Sequence, residues 1–297
     1  MSKILITGGA GFIGTNLAEH MEAQGNEVLI LDKRKSKFSP SIRADVTKKN
    51  WHSKVGKPEI IYHLAAIVGV DYVSTHPFET MNTEIMGINN VIKFAERTRP
   101  EKIIFSSTSA VYGTALPNQF LSEDIKTFPI TSYATAKIMA EHYLKEMKKI
   151  HNIDFTVLRY FNAYGKYQDP KMVIARFMEA AKESKPIVVF NNGEQTRDFT
   201  YIDDVMKATE LVAFTDKTNS QIINVGTGVA TKIRDVALLV KKISGSQSKI
   251  LFEKPPEPRE HFEIQRRVCD KRRLKKLIGF ECKTTLSQGL KKLMQEQ

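Results

Sequence analysis

Cysteine is nearly absent from this 297-residue chain, which holds only Cys269 and Cys282. No disulfide framework can support the fold, and a reducing, cytoplasmic home is expected. Long apolar runs are lacking as well. The richest, Ile60 to Val70, is broken by His63 and Gly69 and is far too short for a membrane span. Met1-Ser2-Lys3 runs directly into Ile4-Leu5-Ile6 and then into glycines, so no cleavable leader is expected. There is no internal repeat and no low-complexity tract. With 41% hydrophobic and 26% charged residues, the composition excludes collagen-like and wholly disordered chains. Acidic residues are outnumbered, 33 against 45 basic ones, giving a net charge of +12. That excess favours anionic partners (nucleic acid, acidic membrane or phosphorylated small molecules) and does not choose among them.

What is present is a rhythm. Short β-branched runs at Lys3–Thr7, Glu27–Asp32, Ile60–His63, Lys102–Ser106 and Phe155–Arg159 alternate with helical patterns near Phe12–Gln24, Thr80–Arg97 and Ser132–His151. Nearly unbroken apolar strands separated by helices indicate a parallel sheet covered on both faces. After Asp169-Pro170 the rhythm changes to further helices near Lys171–Glu183, Asp203–Phe214 and Lys232–Ile243, short strands, and a proline-rich stretch, Lys254 to Pro258. The expected fold is α/β: a doubly wound parallel sheet of the Rossmann kind over residues 1–168, joined by chain returning from the later part. A smaller α/β carboxy-terminal region, 169–297, would close over it.

The first strand leads into Gly8-Gly9-Ala10-Gly11-Phe12-Ile13-Gly14. Glycines at 8, 11 and 14 allow a tight turn, close approach of backbone to a pyrophosphate, and close helix–strand packing. The following helix points its free amides and positive dipole end at the phosphates. Asp32 ends the second strand eighteen residues after Gly14, where a carboxylate accepts hydrogen bonds from an adenosine ribose and repels a 2′-phosphate. Lys33 and Arg34 follow it and could tolerate that phosphate, but Asp32 holds the discriminating position and favours NAD over NADP.

Tyr133 and Lys137 are four apart in a helical pattern and share one face. An ammonium beside a phenol stabilises the phenolate, lowers its pKa from about 10, and lets it act as a general base. Spacing alone also fits a tyrosine packed on a helix surface beside a solvated lysine. The hydroxyl-rich run Ser106-Ser107-Thr108-Ser109 tilts the balance, because it leaves the carboxyl end of a parallel strand, where open α/β sheets bind ligands.

Taken together, the sequence resembles the extended short-chain dehydrogenase/reductase superfamily, in its NAD-dependent nucleotide-sugar epimerase/dehydratase branch. The resemblance covers nearly the whole chain. It rests on the glycine loop, His63-Leu64-Ala65-Ala66, Ser106-Ser107-Thr108, Tyr133-Ala134-Thr135-Ala136-Lys137, Arg159 to Gly165, and Gly193 to Phe199. It implies Thr108 as the active-site hydroxyl, Tyr133 as the base and Lys137 as a ligand of the cofactor ribose. It further implies that NAD is held by Gly8, Gly11, Phe12, Ile13, Gly14 and Asp32, that Asp45 and Val46 line the adenine, and that Leu64, Ala65 and Ala66 wall the cofactor. Asn162 would contact a sugar diphosphate, and Arg197 and Arg259 would clamp its phosphates. Arginine forks suit phosphate oxygens, although Glu260-His261 departs from the family's usual continuation after the second arginine. A homodimer through the helices near Thr80–Arg97 and Ser132–His151 is also implied.

Relatives that dehydrate their sugars resemble this sequence but carry an Asp-Glu pair immediately after the active-site hydroxyl, and those that decarboxylate often have Glu near that place. Ser109 and Ala110 stand there instead, and neither supplies a proton as a carboxylic acid does. The expected activity is nucleotide-sugar 4-epimerisation, through transient oxidation to a 4-keto sugar and return of hydride to its other face. The alternative is a 4-dehydrogenase or ketoreductase on the same scaffold, marked by net turnover of NAD. An idle NAD-binding regulator would need Tyr133 to be dispensable. Nucleic-acid binding, suggested by Lys271-Arg272-Arg273 and Lys275-Lys276, lacks any recognised module and is not expected; nor is membrane binding. His63, His76 and His261 show no metal-ligand spacing, so no metal is expected.

Overall fold

A computed structural model describes every residue except 37, 39, 117, 258–263 and 297. The chain opens with strand β1 (Lys3–Thr7), helix α1 (Phe12–Ala23), β2 (Glu27–Asp32), a short β3 (Ser41–Arg43) and β4 (Ile60–His63). Two helices follow, α2 (Val70–Thr75) and α3 (Pro77–Thr98), then β5 (Lys102–Thr108), α4 (Ser132–His151), β6 (Phe155–Tyr160) and β7 (Asn162–Tyr164). The later part contributes α5 (Val173–Lys182), β8 (Ile187–Phe190), β9 (Thr196–Arg197), β10 (Phe199–Tyr201), α6 (Ile202–Ala213) and β11 (Gln221–Val225). It ends with β12 (Thr231–Lys232), α7 (Ile233–Ser244), β13 (Ile250–Glu253), β14 (Arg266–Arg267), α8 (Arg272–Ile278) and α9 (Leu286–Gln295).

Seven strands form one parallel sheet in the order β11-β6-β5-β4-β1-β2-β3. Alternation along β1 sends Ile4 and Ile6 to one face and Leu5 to the other. The first face packs under α1 and α6 in a core shared with the carboxy-terminal part. The second packs with residues of α3 and α4, including Ile88, Val91, Ala140 and Leu144. Sequence chemistry sets the helix ends. Thr131 Oγ1 accepts the Ala134 amide at 3.1 Å to start α4, and Pro77 occupies the first turn of α3, where its missing N–H costs no hydrogen bond. Arg99, just past α3, donates to the His151 carbonyl at the end of α4 (2.7 Å), tying the two helices together.

The sheet's outermost strand on one side comes from late in the chain. β11 pairs along β6, every residue of which is buried. Lys102 at the start of β5 is buried and donates to the Thr215 carbonyl (2.6 Å) behind α6. Smaller sheets, β7 with β10, β12-β9-β14, and β8 with β13, build the region over the carboxyl ends of the main strands. No helix among the described residues is long and apolar enough to cross a membrane.

Candidate active site

The sheet order turns between β1 and β4, so the loops leaving those two strands face each other. Gly8 has φ +75°, and a Cβ placed on it would lie 2.5 Å from the Ala65 amide nitrogen. A Cβ on Gly14 would strike the Gly8 carbonyl oxygen. Only glycine permits this crossing. α1 begins at Phe12 with Gly11 at its cap and no side-chain cap, which leaves its first amides available to an anion. Phe12 and Ile13 are half-buried against the core, as is Leu64, while Ala65 packs on the opposite cluster.

Asp32 closes the rim. Its carboxylate accepts the Ala10 amide at 3.0 Å and the Arg34 amide at 2.8 Å. Arg34 bends over the glycine loop and donates to the Ala10 carbonyl at 2.8 Å. Lys33 turns away and pairs with Asp45 at 3.2 Å. Burial pushes the Asp45 carboxyl upward, but hydrogen bonds from Thr47 and the Lys33 ammonium outweigh it and hold it below the usual range. Val46 is buried, and its carbonyl accepts from the Asn90 amide at 2.9 Å. The glycine loop, Asp32, Asp45, Val46 and the Leu64–Ala66 segment thus lie along the carboxyl ends of neighbouring strands.

Tyr133 and Lys137 project from one face of α4, with the Lys137 ammonium 5.5 Å from the Tyr133 ring centroid and 4.8 Å from that of Phe105. Thr108 ends β5, two residues beyond the strand end expected from the sequence, and its hydroxyl stands close enough to Tyr133 to favour the phenolate. It also caps the turn Ser109–Tyr112 by accepting the Ala110 amide at 3.1 Å. Lys137 is wholly buried, and Glu84 of α3 stands 2.9 Å from its nitrogen. Beyond that ion pair the ammonium has no hydrogen-bond partner among the described residues, so donors remain for a ligand. Burial works against the charge on Lys137, but Glu84 and Tyr133 outweigh it and hold the lysine as a cation. Burial raises the Glu84 carboxyl too, with Lys137 opposing.

The Tyr133 phenol differs from expectation. Its pKa is raised, because burial outweighs Lys137 and because Glu84 adds a negative charge that the helical spacing of Tyr133 and Lys137 gave no hint of. Glu84 was detectable from another pattern. It falls on the stripe Thr80, Glu84, Gly87, Val91, Ala95, all buried, where α3 turns toward the sheet.

Below the tyrosine lies a second buried network. Glu141 accepts Ser107 Oγ at 2.5 Å and the Arg159 guanidinium at 3.0 and 2.6 Å, which locks the ends of β5 and β6 against α4. His63 is buried with its Nδ1 2.7 Å from Thr7 Oγ1; burial, aided by Lys137, lowers its pKa to about 3 and keeps it neutral. His76 is stacked on Tyr72 at the surface.

On the other wall, Asn162 begins β7 with its Oδ1 buried and unbonded. Arg197 in β9 donates to the Thr196 carbonyl at 2.9 Å and lies in register with Arg267 of β14. Arg267, which the sequence reading missed, stands close enough to Tyr133 to favour its phenolate. Its signal was the doublet Arg266-Arg267 soon after the proline-rich stretch. Arg259 and His261 lie outside the described residues. The basic run near α8 is largely neutralised: Arg273 pairs with Asp124 at 2.5 Å, Arg272 with Asp270 at 2.5 Å, and Lys271 and Lys275 with Glu281 at 3.2 and 2.6 Å. No cluster of three metal-ligating side chains occurs among the described residues.

A glycine cradle at the switch point of a doubly wound sheet, with a hydroxyl, a tyrosine and a lysine beside it, defines a dinucleotide-dependent enzyme. Residues 4–226 match the NAD dependent epimerase/dehydratase family. The chain belongs to that family, and NAD is its cofactor. It is 35% identical to the UDP-N-acetyl-alpha-D-glucosaminuronate decarboxylase of Bacillus cytotoxicus, over 99% of this chain and 97% of that one. Its structure is similar to the UDP-glucose 4-epimerase of Thermotoga maritima solved with UDP-glucose (TM-score 0.92, 29% identity, 98% and 97% of the chains). It is also similar to the UDP-glucuronic acid 4-epimerase of Bacillus cereus solved with UDP-glucuronic acid and NAD (TM-score 0.89, 29% identity, 99% and 98%).

Proposed function

We propose that the protein is a nucleotide-sugar 4-epimerase acting on a uridine diphosphate sugar, with Thr108, Tyr133 and Lys137 as its catalytic residues. The observation that carries the reading is the Tyr133–Lys137–Thr108 cluster followed by Ser109 and Ala110 in place of an acid. The glycine cradle, Asp32 and the open donors of Lys137 fit NAD: the first accepts the pyrophosphate, the second the adenosine ribose, the third the nicotinamide ribose. Asp45, Val46 and the Leu64–Ala66 segment complete that site. Bound NAD supplies a hydride acceptor that later gives the hydride back, and its positive ring favours the Tyr133 phenolate.

Thr108 orients the sugar hydroxyl against the Tyr133 oxygen. Tyr133 takes the hydroxyl proton as the sugar is oxidised at C4 and returns it when the ketone is reduced from the other face. Asn162, Arg197 and Arg259 are assigned to the diphosphate, which they hold while the sugar turns. Asp32 at the end of β2 and the engagement of Lys33 by Asp45 support NAD over NADP.

The relative in Bacillus cytotoxicus is a decarboxylase by name, and a uronate substrate therefore belongs in the test. Purified protein is to be incubated with UDP-glucose, UDP-galactose and their N-acetyl and uronate forms, and the products resolved by NMR. A C4 epimer without net NADH is expected. A decarboxylated sugar, or accumulating NADH, would replace this reading with the decarboxylase or the oxidoreductase. We further assign a homodimer to the outer face of α3 and α4, where Phe78, Met139 and Ile150 are exposed; sedimentation measures it directly.

A further inference from the structure

Lys137 has a partner that the scheme above does not use. Glu84 is 2% exposed in the middle of α3, and a carboxylate is expensive to bury unless it is paired. Its Oε2 faces the Lys137 ammonium at 2.9 Å, while its Oε1 accepts the Ile67 amide at 3.1 Å. Ile67 directly follows Leu64–Ala66, the segment that crosses the glycine loop. One side chain therefore links α3, the wall of the cofactor cleft and the lysine of α4.

The other charged and titratable groups around the pair are already engaged. Facing Tyr133 are Lys137 of its own helix, Glu84 of α3, the Thr108 hydroxyl of β5 and Arg267 of β14. Facing Lys137 are Glu84, Tyr133 and Glu141, with His63 of β4 close enough to feel its charge. Glu141 is committed to Arg159 and Ser107, and His63 is neutral. Glu84 is thus the anion that balances Lys137.

We propose that Glu84 is a positioning residue whose negative charge, paired with the Lys137 ammonium and held by the Ile67 amide, governs how readily Tyr133 gives up its proton. The inference rests on the reading of Tyr133 as the base and deepens it. Removing a negative charge lowers the proton affinity of every group around it. Glu84→Gln keeps the shape and removes the charge, so Tyr133 should ionise at lower pH. Glu84→Asp keeps the charge and should restore most of the original behaviour.

The test is a pH titration of tyrosinate ultraviolet absorbance in NAD-loaded wild type, Glu84→Gln and Glu84→Asp, with Tyr133→Phe as the spectral blank. The midpoint of the Tyr133 signal should fall in Glu84→Gln by on the order of one pH unit. It should return to within a few tenths of wild type in Glu84→Asp. The acid limb of bound-NAD reduction by a UDP-sugar should move with it. An unmoved midpoint, or an alkaline shift, overturns the proposal and marks Glu84 as a packing residue. A wild type with no Tyr133-dependent signal withdraws the base assignment itself and the proposal with it. A crystal structure of the wild-type NAD complex tests the pair without any variant: Glu84 should stay within about 4 Å of Lys137 Nζ, and a separated pair refutes the idea.

Discussion

Two glycines with nearly the same backbone angle separate the energetics of a left-handed residue from those of a crowded crossing. Gly8 has φ +75° and Gly25 has φ +79°. A Cβ on Gly25 meets nothing within 4 Å, whereas one on Gly8 meets the Ala65 nitrogen at 2.5 Å, the Ala65 Cα at 2.6 Å and the Leu64 carbonyl carbon at 2.7 Å. Those neighbours are backbone, held by the Leu64 amide donating to the Thr7 carbonyl at 3.0 Å, and cannot rotate aside. Gly25→Ala should therefore cost about 1 to 2 kcal/mol, the left-handed penalty alone. Gly8→Ala adds an overpacking term of about 1 to 3 kcal/mol, because carbon contacts are comfortable only near ~3.5–4.0 Å. Urea unfolding of both variants reads the difference as a lower midpoint at constant slope. NAD affinity should fall in Gly8→Ala and hold in Gly25→Ala. Equal destabilisation of the two would refute the argument that the loops are pressed together by design of the sequence.

Three further outcomes are expected. Tyr133→Phe should slow reduction of bound NAD by roughly a hundredfold to ten-thousandfold while leaving NAD content unchanged, as measured by stopped-flow absorbance and extraction. Asp32→Ala should weaken NAD binding about tenfold or more and narrow the preference over NADP, by titration calorimetry with each cofactor. Stability should fall on acidification, because His63 has a folded pKa of about 3 against an ordinary 6.5, so the unfolded chain binds the proton first. The loss begins as pH drops through about 6.5, continues toward about 3, and amounts to roughly 1.4 kcal/mol per pH unit. His63→Asn should flatten that slope in urea unfolding series.

The main sheet was legible because its strands are apolar runs buried on both sides: β1, β2 and β4 fall where the sequence places them, and α4 spans the expected Ser132–His151. β3 was not, since Ser41–Arg43 is a three-residue edge with no apolar signature. The glycine loop, Asp32, Thr108, Tyr133 and Lys137 could be read because their chemistry depends on local spacing. Glu84, Glu141 and Arg267 could not be assigned that way, because their meaning comes from partners in other elements. The stripe along α3 marks Glu84 as buried, but its cation comes from the neighbouring helix and is not written in that pattern.

The position of β11 sets a timetable for synthesis. A ribosome delivers β6 and then about sixty more residues before Gln221–Val225 emerges. Until that moment the nascent sheet carries an unclosed strand edge of the kind that recruits stray chains. Chaperone demand should peak in this interval and end when the final strand docks.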